Sequence, residues 1–227
     1  MTLSHPGAGA LSDSPPRGPV LGRRIVLLAG DRPGTNMVYH ALSAHFDLAG
    51  VILEPPEPLS RFLLRRCRRL GVVRVLGQVL FMLLVVPLLR RQAAARLLEI
   101  RRAHGLHDEP IPEAVLRRVP SVNSTPCLDA LHALAPDIVV VNATRIIDRR
   151  ILENVTARCI NLHAGITPLY RGIHGGYWAM AQNDPEHFGV TVHLVDPGID
   201  TGPILAQRRI PVTAQDSFAT YPLLQLA

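Results

Sequence analysis

The chain has 227 residues, 48% of them apolar and 19% charged, enough for one α/β core and too short for two ample domains. Its three cysteines, Cys67, Cys127 and Cys159, are an odd count without CxxC spacing, which argues against a disulfide framework or a zinc site and fits a reducing cytosol. The net charge of +6 rests on arginine alone, since no lysine occurs, so a lysine nucleophile or Schiff base is excluded.

Residues 1–22 are rich in Pro, Gly and Ser, hold no apolar stretch of signal-peptide length, and are expected to form a disordered tail before a single domain over 23–227. Residues 24–29 (RIVLLA) read as a buried strand, followed by a glycine-bearing turn, a helix over about 37–45 and a second strand over 47–54. Such a turn presents backbone N–H groups at a positive helix end, which makes Gly34, Thr35 and Asn36 a candidate anion site. An ordinary tight turn explains Gly34 equally well.

Residues 59–105 interrupt the α/β rhythm. Between Pro58 and Gly105 lie eleven of the 24 arginines against one acid, Glu99, so the positive charge is local. Residues 71–89 are long and apolar enough to span a bilayer, yet contain Arg74, Gln78 and Pro87. Three readings compete: an insertion packed on the domain, an interfacial helix with its arginines toward anionic lipid, and a true span. The runs Arg65-Arg66-Cys67-Arg68-Arg69 and Arg90-Arg91 favour an acidic partner, and the interleaved aromatics of an RNA-binding surface are missing.

Beyond the insertion, a short strand is expected at 119–122, a helix at 127–134 and an apolar strand at 136–142. The alternation predicts a mostly parallel sheet with helices on both faces. Residues 159–163 read as the end of a buried strand, which aims Asn161 and His163 at one face. A helix follows over 173–183, where Gly175-Gly176 either admits a ligand closely or packs on the sheet, then a strand over 190–195. The Pro197-Gly198 turn is expected to return Asp200 over the strand ends, where α/β sheets hold ligands. Asp216 is expected to begin a final amphipathic helix that reaches the chain end.

An amide, an imidazole and a carboxylate converging in this way suit attack of an amine on an activated carbonyl. Asn161 and His163 donate to the developing oxyanion, while Asp200 stabilises the imidazolium and orders a water that removes the amine proton. Taken singly, Asn161 also fits a turn, His163 a satisfied core histidine and Asp200 a cap; the combination at this spacing favours chemistry. His163, His174, His187 and His193 lack the spacing of helical metal ligands, so no metal is expected.

The runs Asn161-Leu162-His163, Pro168, Arg171-Gly172 and Asp196-Pro197-Gly198-Ile199-Asp200-Thr201-Gly202-Pro203 resemble the signature of the folate-dependent formyltransferases. The likeness is strong over about 120–212 and weaker over 23–54. It implies a Rossmann-like formyltransferase fold and an enzyme that passes a formyl group from 10-formyltetrahydrofolate directly to a small amine, with no nucleic-acid partner. Asn161, His163 and Asp200 match the family's catalytic trio. Residues 142–147, with Thr144, Arg145, Ile146 and Ile147, match its pterin-pocket segment, and 195–200, with Val195 and Asp196, its folate loop. Gly34-Thr35-Asn36 looks like the phosphate loop of the glycinamide-type enzymes. Arg171 and His174 resemble the acceptor side of sugar N-formyltransferases. The nearest named type is phosphoribosylglycinamide formyltransferase; the alternatives are a sugar-amine N-formyltransferase and a non-catalytic relative held at a membrane. Gly165-Ile166-Thr167-Pro168 departs from the family's usual Ser-Leu-Leu-Pro. Family members usually continue past this chain's last residue, so a truncated C-terminus is expected.

Overall fold

Three uninterrupted apolar runs build the centre of the sheet, because parallel strands covered on both faces have no solvent side to keep polar. In the computed structural model, which describes residues 22–227, these are β1 (Ile25–Gly30), β2 (Leu48–Glu54) and β4 (Ile138–Asn142). With β3 (Leu116–Arg118), β5 (Arg158–His163), β6 (Gly189–Leu194) and β7 (Ile204–Arg209) they form a seven-stranded sheet in the order β3-β2-β1-β4-β5-β6-β7. The pairings from β3 through β5 are parallel, whereas β5–β6 and β6–β7 are antiparallel. The expected tail lies almost wholly outside the described residues.

Alternate residues of the same strands feed two cores. Val26, Leu28, Ile52, Val139 and Val141 pack on one face with α6 (Thr125–Leu134) and α7 (Arg149–Glu153), and Ile25, Leu27, Ala29, Val51 and Val140 pack on the other with α1 (Thr35–Ser43). Ser124 starts α6 by accepting the Cys127 N–H on its hydroxyl. A third cluster joins Met37 of α1, Ile100, Phe188 and Leu223 and Leu224 of the short helix α9 (Tyr221–Leu224).

The insertion divides in two. Helix α2 (Leu59–Leu70) buries nothing, and α3 (Val72–Leu80) continues through a π-helical turn at Phe81–Val85 into α4 (Val86–Gln92). Pro87 accounts for the widened turn, because it has no N–H to return to the residue one turn back. Helix α5 (Ala94–Ala103), by contrast, belongs to the domain: Ile100 is core, and Arg96 makes two bonds to Asp216 at 2.8 and 3.2 Å.

Several expectations are corrected. The strand expected at 119–122 forms three residues earlier, since Pro120 lacks the N–H a ladder needs. Val119 and Val122 instead enter the core, and their N–H groups go to Leu53 O and the Glu54 carboxylate. The edge strand β7 and the helix α7 were not anticipated. Asp216 starts no helix: it closes a turn, accepting from the N–H and hydroxyl of Thr213. Gly175 opens helix α8 (Gly175–Ala181), where a Cβ would lie 2.7 Å from Tyr170 O and 2.8 Å from Ala164 O, so this glycine serves tight packing.

The Asp216 side chain is 0% exposed. Burial alone would raise its carboxyl, but the bonds from Arg96 and Thr213 outweigh burial and hold it below the usual aspartate range. Replacing Arg96 by Met removes the charged partner and is expected to destabilise the fold at neutral pH. Because the folded-state value is depressed, this contribution is present above the ordinary aspartate pKa and fades as pH falls below about 4. Urea melts of the parent and the variant should therefore differ at pH 7 and converge in acid.

Candidate active site

Strand β5 places Asn161 and His163 on one face, and the antiparallel register sets His193 of β6 opposite Asn161 and Thr191 opposite His163. Because β6 runs backwards, its last residue, Leu194, pairs with Ile160, and the following loop folds over this face to bring Asp200 onto it. Asp200 holds a left-handed backbone conformation, with φ 50°. Its Oδ1 accepts from Asn161 Nδ2 at 3.1 Å, and its Oδ2 accepts from the Gly172 N–H at 2.8 Å and lies 3.4 Å from His163 Nδ1. The expected trio is therefore assembled.

The hydrogen-bond pattern fixes the rings. His163 Nε2 is 2.7 Å from the Tyr170 carbonyl, so Nε2 carries a hydrogen and Nδ1 faces the carboxylate. His193 Nδ1 is 2.8 Å from the Leu194 carbonyl, which leaves its Nε2 to accept from Asn161 Nδ2 at 3.1 Å. That Nε2 is also 3.4 Å from Asp200 Oδ1. His193 is thus a fourth, buried member of the cluster, missed because its place depends on strand register. Both hydrogens of the Asn161 amide and the Nε2 hydrogen of His163 have protein partners, so an incoming oxygen must exchange for one of them.

The residues matched to folate sit after β4 and β6, the two neighbours of β5. Ile146 is 62% exposed, but Ile147 is 6% exposed and packs in the core with Ile151, which corrects its assignment to the pocket wall. Arg145 is committed to Glu54, through its N–H at 2.6 Å and its guanidinium at 3.4 Å, and to Pro55 O at 3.1 Å. The Thr144 hydroxyl donates to Arg145 O. Val195 donates its N–H to Cys159 O, and Asp196 accepts from Gly198 N–H and the Thr201 hydroxyl, which shapes the loop that carries Asp200.

The acceptor-side residues are more scattered. Arg171 and His174 are exposed beside Gly172, the residue that holds Asp200. Gly34, Thr35 and Asn36 follow β1, separated from β5 by β4. Gly34 stands at φ 97° under Leu226, Thr35 turns its buried hydroxyl onto Gly30 O at 2.7 Å, and Asn36 donates to Asp108 O. The side chains of this turn therefore serve structure first, and the Thr35 N–H goes to Arg32 O at 3.1 Å. An open groove of about 590 Å³ runs along Ile166–Leu169, His187 and Gln207–Arg209, and none of the trio lines it.

Neither Cys127 nor Cys159 competes as a nucleophile at neutral pH. Burial pushes Cys127 and Cys159 up to about 11, with the Glu54 charge adding at Cys127. Among the described residues no group of three or more His, Cys, Asp or Glu is arranged to hold a metal ion.

With this geometry in place, the comparisons with known proteins are specific. The family profile described as "Formyl transferase" matches residues 101–222, more than half of the chain and the whole of the trio.

The chain belongs to the formyl transferase family.

Among curated relatives of this chain, methionyl-tRNA formyltransferase of Myxococcus xanthus (strain DK1622) is 37% identical over 131 residues, covering 54% of this chain and 42% of that protein. The chain thus spans less than half the length of that relative. Among solved structures it is similar to phosphoribosylglycinamide formyltransferase from Streptococcus pneumoniae TIGR4, with TM-score 0.56, 18% identity and coverage of 89% and 90% of the two chains. The enzyme of the same name from Anaplasma phagocytophilum gives TM-score 0.57 at 18% identity, covering 90% of this chain and 79% of that one. At this identity the structural likeness establishes the Rossmann-like fold of the formyl transferases and nothing finer.

The unequal burial of the two isoleucines gives a paired prediction. Ile147→Ala is expected to destabilise the domain by about 2–5 kcal/mol through the cavity it leaves. Ile146→Trp is expected to leave stability within about 0.5 kcal/mol, as surface changes do. Thermal unfolding of the two variants beside the parent checks both outcomes.

Proposed function

We propose that this domain is a 10-formyltetrahydrofolate-dependent N-formyltransferase that passes the formyl group directly to an amine. The observation that carries the reading is the meeting of Asn161, His163 and Asp200 on one face of β5, held by bonds of 3.1 and 2.8 Å to the Asp200 carboxylate and a 3.4 Å approach of His163.

We assign the donor to the side of the sheet between the two segments that flank β5, exposed Ile146 on one side and the Asp196–Asp200 loop on the other. When bound, it supplies a formyl carbonyl activated at its nitrogen. Asn161 and His163 then act on the carbonyl oxygen. Each gives up one internal bond, to Asp200 or His193 for the amide and to Tyr170 O for the ring, in exchange for one to that oxygen. While the oxygen is neutral the exchange is nearly even. As the amine nitrogen closes on the carbon and charge moves onto oxygen, the new bonds become charge-assisted and about twice as strong. The gain therefore falls in the transition state, where it raises turnover. Asp200 holds the ring of His163 and, through a water, takes the proton the amine loses; the folate nitrogen leaves as the carbon–nitrogen bond breaks and acquires a proton.

For the acceptor we take a small amine of the glycinamide or amino-sugar kind, on the resemblance of residues 192–196 to the former and of Arg171 and His174 to the latter. The 37% identity to a methionyl-tRNA formyltransferase supports a second reading, the amine of a charged tRNA. The three free cysteines support a cytoplasmic setting.

The decisive assay mixes purified protein and 10-formyltetrahydrofolate with glycinamide ribonucleotide, an amino-sugar nucleotide and methionyl-tRNA, and follows tetrahydrofolate release. Asn161→Ala and His163→Ala are each expected to lower kcat by about 10²–10³ with donor affinity little changed. A variant that kept the parent rate would rule out the oxyanion role, and release with none of the amines would rule out the transfer.

A further inference from the structure

The strongest feature the catalytic reading leaves unused is the exposed apolar helix of the insertion. The helix Val72–Gln92 is long and apolar enough to cross a membrane, with only 11% of its most apolar window buried. Val73 is 84% exposed and Leu83 66%, with Leu76, Met82, Leu84 and Leu88 also exposed. Soluble monomers rarely leave so continuous an apolar surface uncovered. Val75 and Val86 are buried along its inner side, and the ring of Phe81 meets Phe218 at 6.3 Å.

Charge identifies the cover. Helix α2 is amphipathic, with Leu59, Phe62, Leu63, Cys67 and Leu70 along one stripe and arginines between them. Among the described residues Arg61, Arg68, Arg69, Arg74, Arg90 and Arg91 form no salt bridge, so guanidiniums stand unneutralised at both ends of the apolar helix. Apolar bulk bracketed by free positive charge complements an anionic bilayer, with acyl chains between and phosphates at the rim.

Topology then decides how the helix lies. Strand β2 precedes the insertion and β3 follows it, yet the two pair in parallel at Val51–Leu116, Ile52–Arg117 and Leu53–Arg118. Both ends of the insertion are therefore on one side of any membrane. A single crossing would place β3 on the side opposite β2 and break the sheet, and α2, with five arginines in twelve residues, does not supply a return span.

We propose that α2 and the 72–92 helix form an in-plane membrane-docking element, which seats the domain on an anionic bilayer surface without crossing it. The element is independent of the trio, so it holds or fails regardless of formyl transfer.

The test is co-sedimentation of the full chain with phosphatidylglycerol–phosphatidylcholine vesicles and with phosphatidylcholine vesicles, at low and high salt. The parent is expected to sediment with the former, less at high salt, and to stay in solution with the latter. Reversing Arg68, Arg69, Arg90 and Arg91 to Glu should reduce partitioning about 100-fold or more, and Leu83→Asp with Leu84→Asp about tenfold or more. All six side chains lack polar partners, so unfolding midpoints should not move, and polarised infrared spectra of oriented bilayers should show the helix along the membrane plane. Equal binding to both vesicle types, binding that survives the reversals, a helix along the membrane normal, or a lipid-free dimer that covers the segment would each overturn the proposal.

Discussion

The antiparallel step from β5 to β6 is the constraint on which the site depends. Up to β5 the sheet is parallel, and a sixth parallel strand would have sent its loop away over the end of the sheet. Reversal instead sets His193 against Asn161 across one rung and forces the next loop to return over the same face. Asp200 arrives there in a left-handed conformation, and its two oxygens gather donors from β5 and from the Gly172 turn. A largely covered carboxylate surrounded by donors is held firmly, because any displacement strands both the charge and its partners. The same arrangement keeps the amide and the imidazole aligned before a ligand arrives, which is the preorganisation that electrostatic catalysis needs.

A second buried carboxylate performs the corresponding task at the other end of the parallel half. Glu54 closes β2 and accepts the N–H groups of Val122 and Arg145 while facing the Arg145 guanidinium. Three separate crossings are thereby tied at one point. The segment after β4 is fixed by this tie, which explains why Arg145 and Ile147 turn inward while Ile146 remains outside. Burying one ionised side chain is costly, and here two N–H donors and a cation compensate it.

What could be read from the sequence follows from which forces are local. The apolar runs of β1, β2 and β4 announce themselves because parallel strands bury both faces, and the period-two spacing of Asn161 and His163 assigns them one face without any knowledge of neighbours. The Asp200 turn was legible because Pro197-Gly198 restricts the chain locally. His193 was not, since its contact with Asn161 depends on a pairing register that neither strand encodes alone. Strand β7 was missed because ILAQRR lies at an edge with every residue exposed, so it carries no burial pattern. The Ile147 side chain was misjudged for a related reason: a motif states which residues are adjacent, whereas packing decides which way each one turns.

The boundary of the insertion shows the same division between local pattern and tertiary packing. By composition residues 59–105 look uniform, arginine-rich and apolar throughout. Packing separates them at Gln92, because Arg96 reaches Asp216 and Ile100 meets Phe188 and Leu223, whereas no residue of α2 or the 72–92 helix joins a core cluster. Val75 and Val86 are buried along that helix, and the ring of Phe81 meets Phe218 at 6.3 Å, which meets Tyr177 of α8 at 5.6 Å. Edge-to-face contacts of this kind are weak individually, about 0.5–1.5 kcal/mol each. The contacts that hold Asp200 come instead from Asn161, Gly172, His163 and His193, so the exposed helix and the trio share one chain and one sheet without a hydrogen bond or ion pair between them among the described residues.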